Sequence, residues 1–169
     1  MRYITAADGL RLAYDDTGNG RPLLCLPGLT RNMEDFDPVV AEFAGRARIL
    51  RMDFRGRGAS DHGDPATYTI PQEAADVVAL LDHLGLDKTA ILGTSRGGLV
   101  AMWLAGVAKD RLSGVILNDV GPVVSPEGLA NIMDYIGHPP PYRTLDEAAE
   151  GLARVYEGKF TGVPTATCS

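Results

Sequence analysis

The sequence predicts an α/β fold, a mostly parallel sheet with helices on both faces. Three observations carry that expectation. Short β-like runs alternate with helix-like runs along most of the chain, which is how a parallel sheet with crossover helices reads. The run Pro22-Leu23-Leu24-Cys25-Leu26 is continuously apolar and closes at Pro27-Gly28, as suits a strand buried on both faces. Finally, 169 residues with 45% hydrophobic and 22% charged side chains match one globular domain with a real core.

The first two strands are the exception to the parallel pattern. Arg2–Thr5 and Arg11–Tyr14 flank Asp8-Gly9, a turn pair that suits a hairpin. After the strand Pro22–Leu26 a helix is expected from Met33 to Phe43. Arg48–Met52 is the next strand, running into the glycine-rich loop Asp53-Phe54-Arg55-Gly56-Arg57-Gly58-Ala59-Ser60-Asp61. The clearest helix is Ile70–Leu84. Thr69 and Gln72 form a capping box, and Pro71 falls in the first turn, where its missing N–H loses no partner. Ala74, Val77, Val78, Leu81 and Leu84 supply its buried stripe, and Gly85 ends it. Thr89–Leu92 reads as a strand, Arg96–Val107 as a helix and Gly114–Leu117 as a strand.

After Gly121-Pro122 the texture changes. Ser125-Pro126 starts a helix that stops near Gly137, Pro139-Pro140-Pro141 is a stiff spacer, and Thr144-x-x-Glu147 caps a helix to about Tyr156. These helices lack strand alternation and read as an insertion over the sheet. The expected organisation is a core over 1–122, a partial helical lid over 123–160 and an irregular tail over 161–169.

Composition excludes several functions. A net charge of −6 argues against a nucleic-acid partner, which needs a basic footprint. The opening Met1-Arg2-Tyr3-Ile4-Thr5-Ala6-Ala7-Asp8 lacks the apolar core of a signal peptide, and the longest apolar stretch, Gly97 to Ala108, is too short to span a bilayer. A cytoplasmic protein with no membrane partner is expected. Cys25 and Cys168 make no disulfide framework, and His62, His83 and His138 lack ligand spacing, so neither metal nor cofactor is expected.

The strongest chemical signal is Gly93-Thr94-Ser95-Arg96-Gly97, a G-x-S-x-G directly after an apolar strand and directly before a helix. Turning that sharply strains the serine backbone, and side chains two residues away on either side would collide. The turn lifts the Ser95 hydroxyl clear of the sheet and aims the N–H of Arg96 at any oxyanion formed there. The competing reading is a tight strand–helix turn with an incidental serine. It weakens because strand and helix are both in register.

The chain resembles the α/β-hydrolase family, in particular its small esterase, lactonase and C–C-hydrolase branch. The resemblance rests on Leu26-Pro27-Gly28-Leu29 after the third strand, Asp53 to Ser60 after the fourth, and the elbow around Ser95. It implies the α/β-hydrolase fold, here its first six strands plus the start of a helical lid. It also implies the Leu29 N–H as the second oxyanion donor. Pro27 stands where the family often has histidine, a departure that leaves the backbone donor untouched. Relatives that open epoxides or remove halide carry aspartate at the elbow. A serine there implies acyl transfer from an ester, thioester or lactone carbonyl of a small-molecule substrate. In the glycine-rich loop, Arg55 and Arg57 admit an anion-binding reading and a structural one. The P-loop and dinucleotide patterns are incomplete there, which favours the structural one.

The family's base is a histidine near its C-terminus, and none of the three histidines here matches that place. His83 is expected to face solvent; His62 and His138 are the substitutes to consider. Asp119, at the end of the sixth strand, is the candidate triad acid; the competing reading, a residue that caps the strand end or orders the Gly121-Pro122 turn, is the favoured one. The family continues beyond the point where this chain ends, so a C-terminally truncated member is expected. A second reading, a non-enzymatic fragment or binding module that keeps the pocket, follows from the same gap. Without a seventh strand, Val115-Ile116-Leu117 would form an open sheet edge that invites self-association.

Overall fold

The computed structural model describes residues 1–133, 136–137 and 141–156. Two compact units divide the chain, Met1–Val124 and the residues from Ser125 on. The first holds a six-stranded sheet of order β1-β2-β4-β3-β5-β6. Its strands are β1 (Arg2–Thr5), β2 (Arg11–Thr17), β3 (Pro22–Leu26), β4 (Arg48–Met52), β5 (Thr89–Thr94) and β6 (Leu112–Asn118). As the Asp8-Gly9 pair predicts, β1 and β2 form an antiparallel hairpin, turned through Gly9 at φ 87°. β2 also pairs antiparallel with β4, whereas β4, β3, β5 and β6 are all parallel. The α/β expectation therefore holds.

β2 runs to Thr17 where the sequence suggests an end at Tyr14. Acidic residues are poor strand formers, but here each finds a cation on the neighbouring strand. Asp15 lies opposite Arg51 and accepts from its Nη2 at 2.8 Å; Asp16 accepts from both Arg48 Nε and Nη2, at 2.9 and 2.8 Å.

Apolar side chains on the two sheet faces define two clusters. On one, Leu24, Leu26, Leu50, Met52 and Ile91 pack with Val77 and Leu80 of α2 (Ile70–His83) and Val100 and Leu104 of α3 (Arg96–Val107). On the other, Cys25 and Ile49 pack with Phe36, Val39 and Val40. The helix expected over 33–43 is broken in two: a 3-10 turn at Met33–Phe36, then α1 (Asp37–Phe43). Pro38 explains the break, since in a continuous helix its ring would strike the carbonyl four residues back, whereas a first-turn proline is tolerated.

In α2 the capping box is half made. Thr69 Oγ1 accepts from the Gln72 N–H at 3.4 Å, but the Gln72 side chain turns to Asp76 instead of back to the cap. The buried face also differs from the apolar stripe: Leu80 joins it, Val78 and Leu84 are only half-buried, and Glu73 and Asp76 are buried within it. β6 pairs with β5 on one side; among the described residues no strand pairs on its other side, and Val115 and Ile116 are exposed.

The second unit contains α4 (Pro126–Met133) and α5 (Leu145–Tyr156). Thr144 Oγ1 accepts from the Glu147 N–H at 3.2 Å, and the Glu147 carboxylate accepts from the N–H of Arg143 at 2.7 Å, one residue outside the expected box. His138, most of the proline spacer and the tail from 157 lie outside the described residues. No described helix is long and apolar enough to cross a membrane.

Candidate active site

β5 hands over to α3 at Ser95, whose backbone stands at φ 48°, ψ −111°. Only Ser95 and Asp119 take a positive φ among the described non-glycine residues. Such a conformation costs an L-residue about 1–3 kcal/mol and persists only where its surroundings over-determine it. Here they do. The Ser95 N–H donates to the Asn118 carbonyl at 2.9 Å, its own carbonyl accepts from Gly98 and Leu99, and the Gly97 N–H donates to the Pro27 carbonyl at 3.1 Å. The two flanking glycines are demanded by close approach. A Cβ on Gly93 would stand 2.5 Å from the Gly97 carbonyl oxygen, and one on Gly97 would stand 2.2 Å from that of Leu26. Ser95 itself is half-buried, outside the apolar core.

The loop after β3 lies against this elbow: a Cβ built on Gly28 would be 3.8 Å from that of Ser95. Leu29 is therefore brought close to the serine by its neighbour, and Arg96 by sequence. The Arg96 N–H opens α3, where no intrahelical acceptor exists. Neither it nor the Leu29 N–H donates a hydrogen bond among the described residues. Two free amides beside a half-buried hydroxyl can stabilise an oxygen that becomes negative. A cavity of about 500 Å³ is lined by Thr30–Asn32, Glu34, Asp35 and Gly56–Gly58, from the loops after β3 and β4, and not by Ser95 itself.

The loop after β4 is braced from below. Arg55 is fully buried, forked onto Asp76 by two bonds of 2.7 Å and bonded to Asp8 at 2.8 Å. Hydrogen bonding to Arg55 holds the Asp8 carboxyl below its ordinary value. For Arg55 the structural reading is the one the geometry bears out. Asp53, also buried, accepts from the N–H groups of Met33 and Ala59 at 2.7 and 2.8 Å, and its burial pushes its carboxyl up.

Arg57 is placed differently. Its Nε donates to the Leu29 carbonyl, its Nη1 to the Arg55 carbonyl at 2.9 Å, and its guanidinium lies over the Tyr68 ring, 5.5 Å from the centroid. The Arg96 side chain donates to Glu73 Oε2 and to the Tyr68 carbonyl, both at 2.7 Å. Glu73 is completely buried, and that burial pushes its carboxyl up against the pull of Arg96. Glu73 and Tyr68 escaped the sequence reading. The available signal was a charged residue three before Asp76 on a helix face otherwise assigned to the core.

Neither described histidine is bonded to Ser95. His62 is exposed, and His83 is exposed with its Nε2 hydrogen-bonded to the Tyr14 hydroxyl at 3.3 Å. Asp119 follows β6 in a left-handed conformation (φ 55°), which aspartate tolerates better than most residues, and it is exposed. Cys25 is buried, with its thiol pushed up to about 12. No group of His, Cys, Asp and Glu able to hold a metal ion occurs among the described residues.

Residues 21–167 match the family model described as alpha/beta hydrolase fold. A 3-hydroxybutyrate-oligomer hydrolase from Cupriavidus necator is 40% identical over 157 residues, covering 90% of this chain and 53% of that protein. A non-heme haloperoxidase from Rhodococcus erythropolis is 33% identical over 140 residues, covering 76% of this chain and 50% of that protein. The crystal structure of an alpha/beta hydrolase from Novosphingobium aromaticivorans matches with a TM-score of 0.90 at 41% identity, over 99% of this chain and 60% of that one. The chain thus spans about half the length of these curated relatives.

Proposed function

The chain belongs to the alpha/beta hydrolase family, and on that premise we propose that Ser95 is the nucleophile of a serine hydrolase acting on ester, thioester or lactone carbonyls. The observation that carries this reading is the strained, half-buried Ser95 beside the amides of Leu29 and Arg96, which donate to no described residue.

In the proposed reaction Ser95 Oγ bonds to the carbonyl carbon while a base takes its proton, and the carbonyl π pair moves onto oxygen. The Leu29 and Arg96 amides receive that oxyanion. Its collapse expels the alcohol or thiol, which leaves with the proton, and water then releases the acid from the acyl-serine. Asp119 is the candidate for orienting the base, since it directly follows Asn118, whose carbonyl holds the Ser95 amide.

The substrate class to test first comes from the Cupriavidus relative. Oligomers of a hydroxy acid are joined by ester bonds, so a short hydroxyacyl ester fits both that name and this chemistry.

One observation favours a second reading, a pocket that binds without turnover: among the described residues no histidine is bonded to Ser95. An activated ester such as p-nitrophenyl acetate separates the two. A burst of one equivalent of nitrophenolate, followed by stalling, is expected from a live Ser95 without a deacylating base; steady turnover follows if a base is present. Both must vanish in Ser95→Ala. No burst, and no labelling by a fluorophosphonate, would refute the nucleophile and leave the binding pocket.

A further inference from the structure

Three charged side chains that the proposed reaction leaves unused meet beside its oxyanion donors. Arg57 grips the Leu29 carbonyl, and Arg96 is the residue whose own N–H is the other donor. Between the two guanidiniums lies Glu73 of α2, with no solvent exposure. Its Oε2 is 2.7 Å from Arg96 Nε and its Oε1 is 3.6 Å from Arg57 Nη1. Oε1 has no hydrogen-bond partner, so Arg57 meets it as a charge alone.

Resting on the serine hydrolase reading, we propose that Glu73 is a positioning residue of the oxyanion hole, fixing Leu29 through Arg57 and the start of α3 through Arg96. Each link has a distinct effect. Holding the Leu29 carbonyl limits rotation of the residue whose N–H must face the reacting oxygen. Tethering the Arg96 side chain at Glu73 and at the Tyr68 carbonyl pins the first residue of α3 from the opposite side. Stacking on Tyr68 restrains the Arg57 guanidinium that makes the first link.

The electrostatics agree. With Glu73 ionised, two guanidiniums share one carboxylate, leaving an excess of positive charge where negative charge develops. Buried ion clusters are weak contributors to stability, because desolvation consumes most of the Coulombic gain. Stability alone therefore does not account for placing this one beside the elbow. The neighbouring buried pair, Arg55 with Asp76, serves as a comparison: it has the same chemistry on the same helix, and its guanidinium bonds to Asp76, Asp8 and Thr67 and to neither donor residue.

A boronic acid reads the hole without any need for turnover. The Ser95 oxygen donates a lone pair to trigonal boron, a B–O bond forms, the serine proton passes to solvent, and boron becomes tetrahedral and negative. Affinity of a short alkylboronic acid for the full chain, followed by calorimetry and boron NMR, is the measurement. Glu73→Gln should weaken the adduct about tenfold or more, a part of the 10²–10³ that follows outright loss of a donor. Arg57→Met cuts the Leu29 link while leaving Glu73 paired with Arg96. It should weaken the adduct as well, and it keeps the test open if Glu73→Gln fails to fold. Asp76→Asn removes a charge from the same helix without removing a bond to Arg57 or Arg96, and should weaken the adduct clearly less than either in whatever fraction is folded. The positioning role is overturned if folded Glu73→Gln and Arg57→Met bind as wild type does, or if Asp76→Asn weakens the adduct equally. A wild-type chain that forms no Ser95-dependent adduct overturns the hydrolase reading, and this inference with it.

Discussion

Replacing Ser95 by glycine should make the protein more stable while removing the proposed nucleophile. At φ 48°, ψ −111° the serine occupies backbone space that costs an L-residue about 1–3 kcal/mol, and glycine enters it freely. Glycine also gains freedom in the unfolded chain, which returns about 0.5–1 kcal/mol of that advantage. The net expectation is a gain of up to about 2.5 kcal/mol, centred near 1, or a few degrees in Tm for a chain of this size. The hydroxyl must be controlled for, and Ser95→Ala does that: it loses the oxygen and keeps the strain. Because the hydroxyl is half-buried and not bonded to either described histidine side chain, alanine should lie within about 0.5 kcal/mol of wild type. The informative quantity is the glycine-minus-alanine difference in urea midpoint at unchanged m-value. If glycine proves no more stable than alanine, the elbow is not strained, and the account of why Gly93 and Gly97 flank it must be abandoned.

Other perturbations follow from buried charge. Asp76→Ala would leave the fully buried Arg55 with only Asp8, at the surface, as its carboxylate; a loss of about 3–5 kcal/mol in urea denaturation is expected. Acid should weaken the β2–β4 pairing. The Arg51 and Arg48 partners hold the Asp15 and Asp16 carboxyls below their ordinary 3.8. A lowered folded value means that this stability is present above the unfolded value and is lost as pH falls below about 4. Glu73 runs the other way. Burial raises its folded value, so its contribution is complete below the unfolded value and fades as pH rises through the raised one. Urea midpoints taken from about pH 6 to pH 3 should therefore fall less steeply at the acid end in Asp16→Asn than in wild type, and an identical acid slope would refute the assignment.

Much of the frame was legible because local patterns and tertiary demands agreed. Pro22–Leu26 and Arg48–Met52 emerged with the expected bounds, the first an apolar run closed by Pro27-Gly28, the second a short β-like run that ends in the glycine-rich loop. The elbow was legible for a stronger reason: its glycines are forced by contacts of the backbone with itself, and such contacts leave a fixed spacing in sequence. Where pattern and structure parted, a partner distant in sequence decided the outcome. Asp15 and Asp16 argue against a strand until Arg48 and Arg51 stand beside them. Pro38 sits inside an apparently continuous helix and divides it. A base for the proposed nucleophile was not legible at all, because the partners of a catalytic serine come from separate strand ends and no local spacing ties them together.

The least legible feature, the acidic face of α2, also has the most to explain. Glu73 and Asp76 lie three residues apart on one side of the helix, where like charges repel, and both are buried among Ala74, Val77 and Leu80. That face can exist only if cations come to it, and three do, each from outside the helix: Arg55 and Arg57 from the loop after β4, and Arg96 from the elbow. They are not shared evenly. Asp76 and Asp8 both serve Arg55, so that end carries a surplus of negative charge, whereas Glu73 alone serves Arg57 and Arg96, so the end nearer Ser95 carries a surplus of positive charge. A helix whose only task was packing would gain more from leucine at both positions. The uneven sharing makes sense if α2 orients the two loops that flank Ser95, since the cations that neutralise Glu73 are Arg57, which bonds to the Leu29 carbonyl, and Arg96 itself. Exchanging the surplus should then alter anion affinity at Ser95 in a way that an equal loss of stability elsewhere in the helix does not.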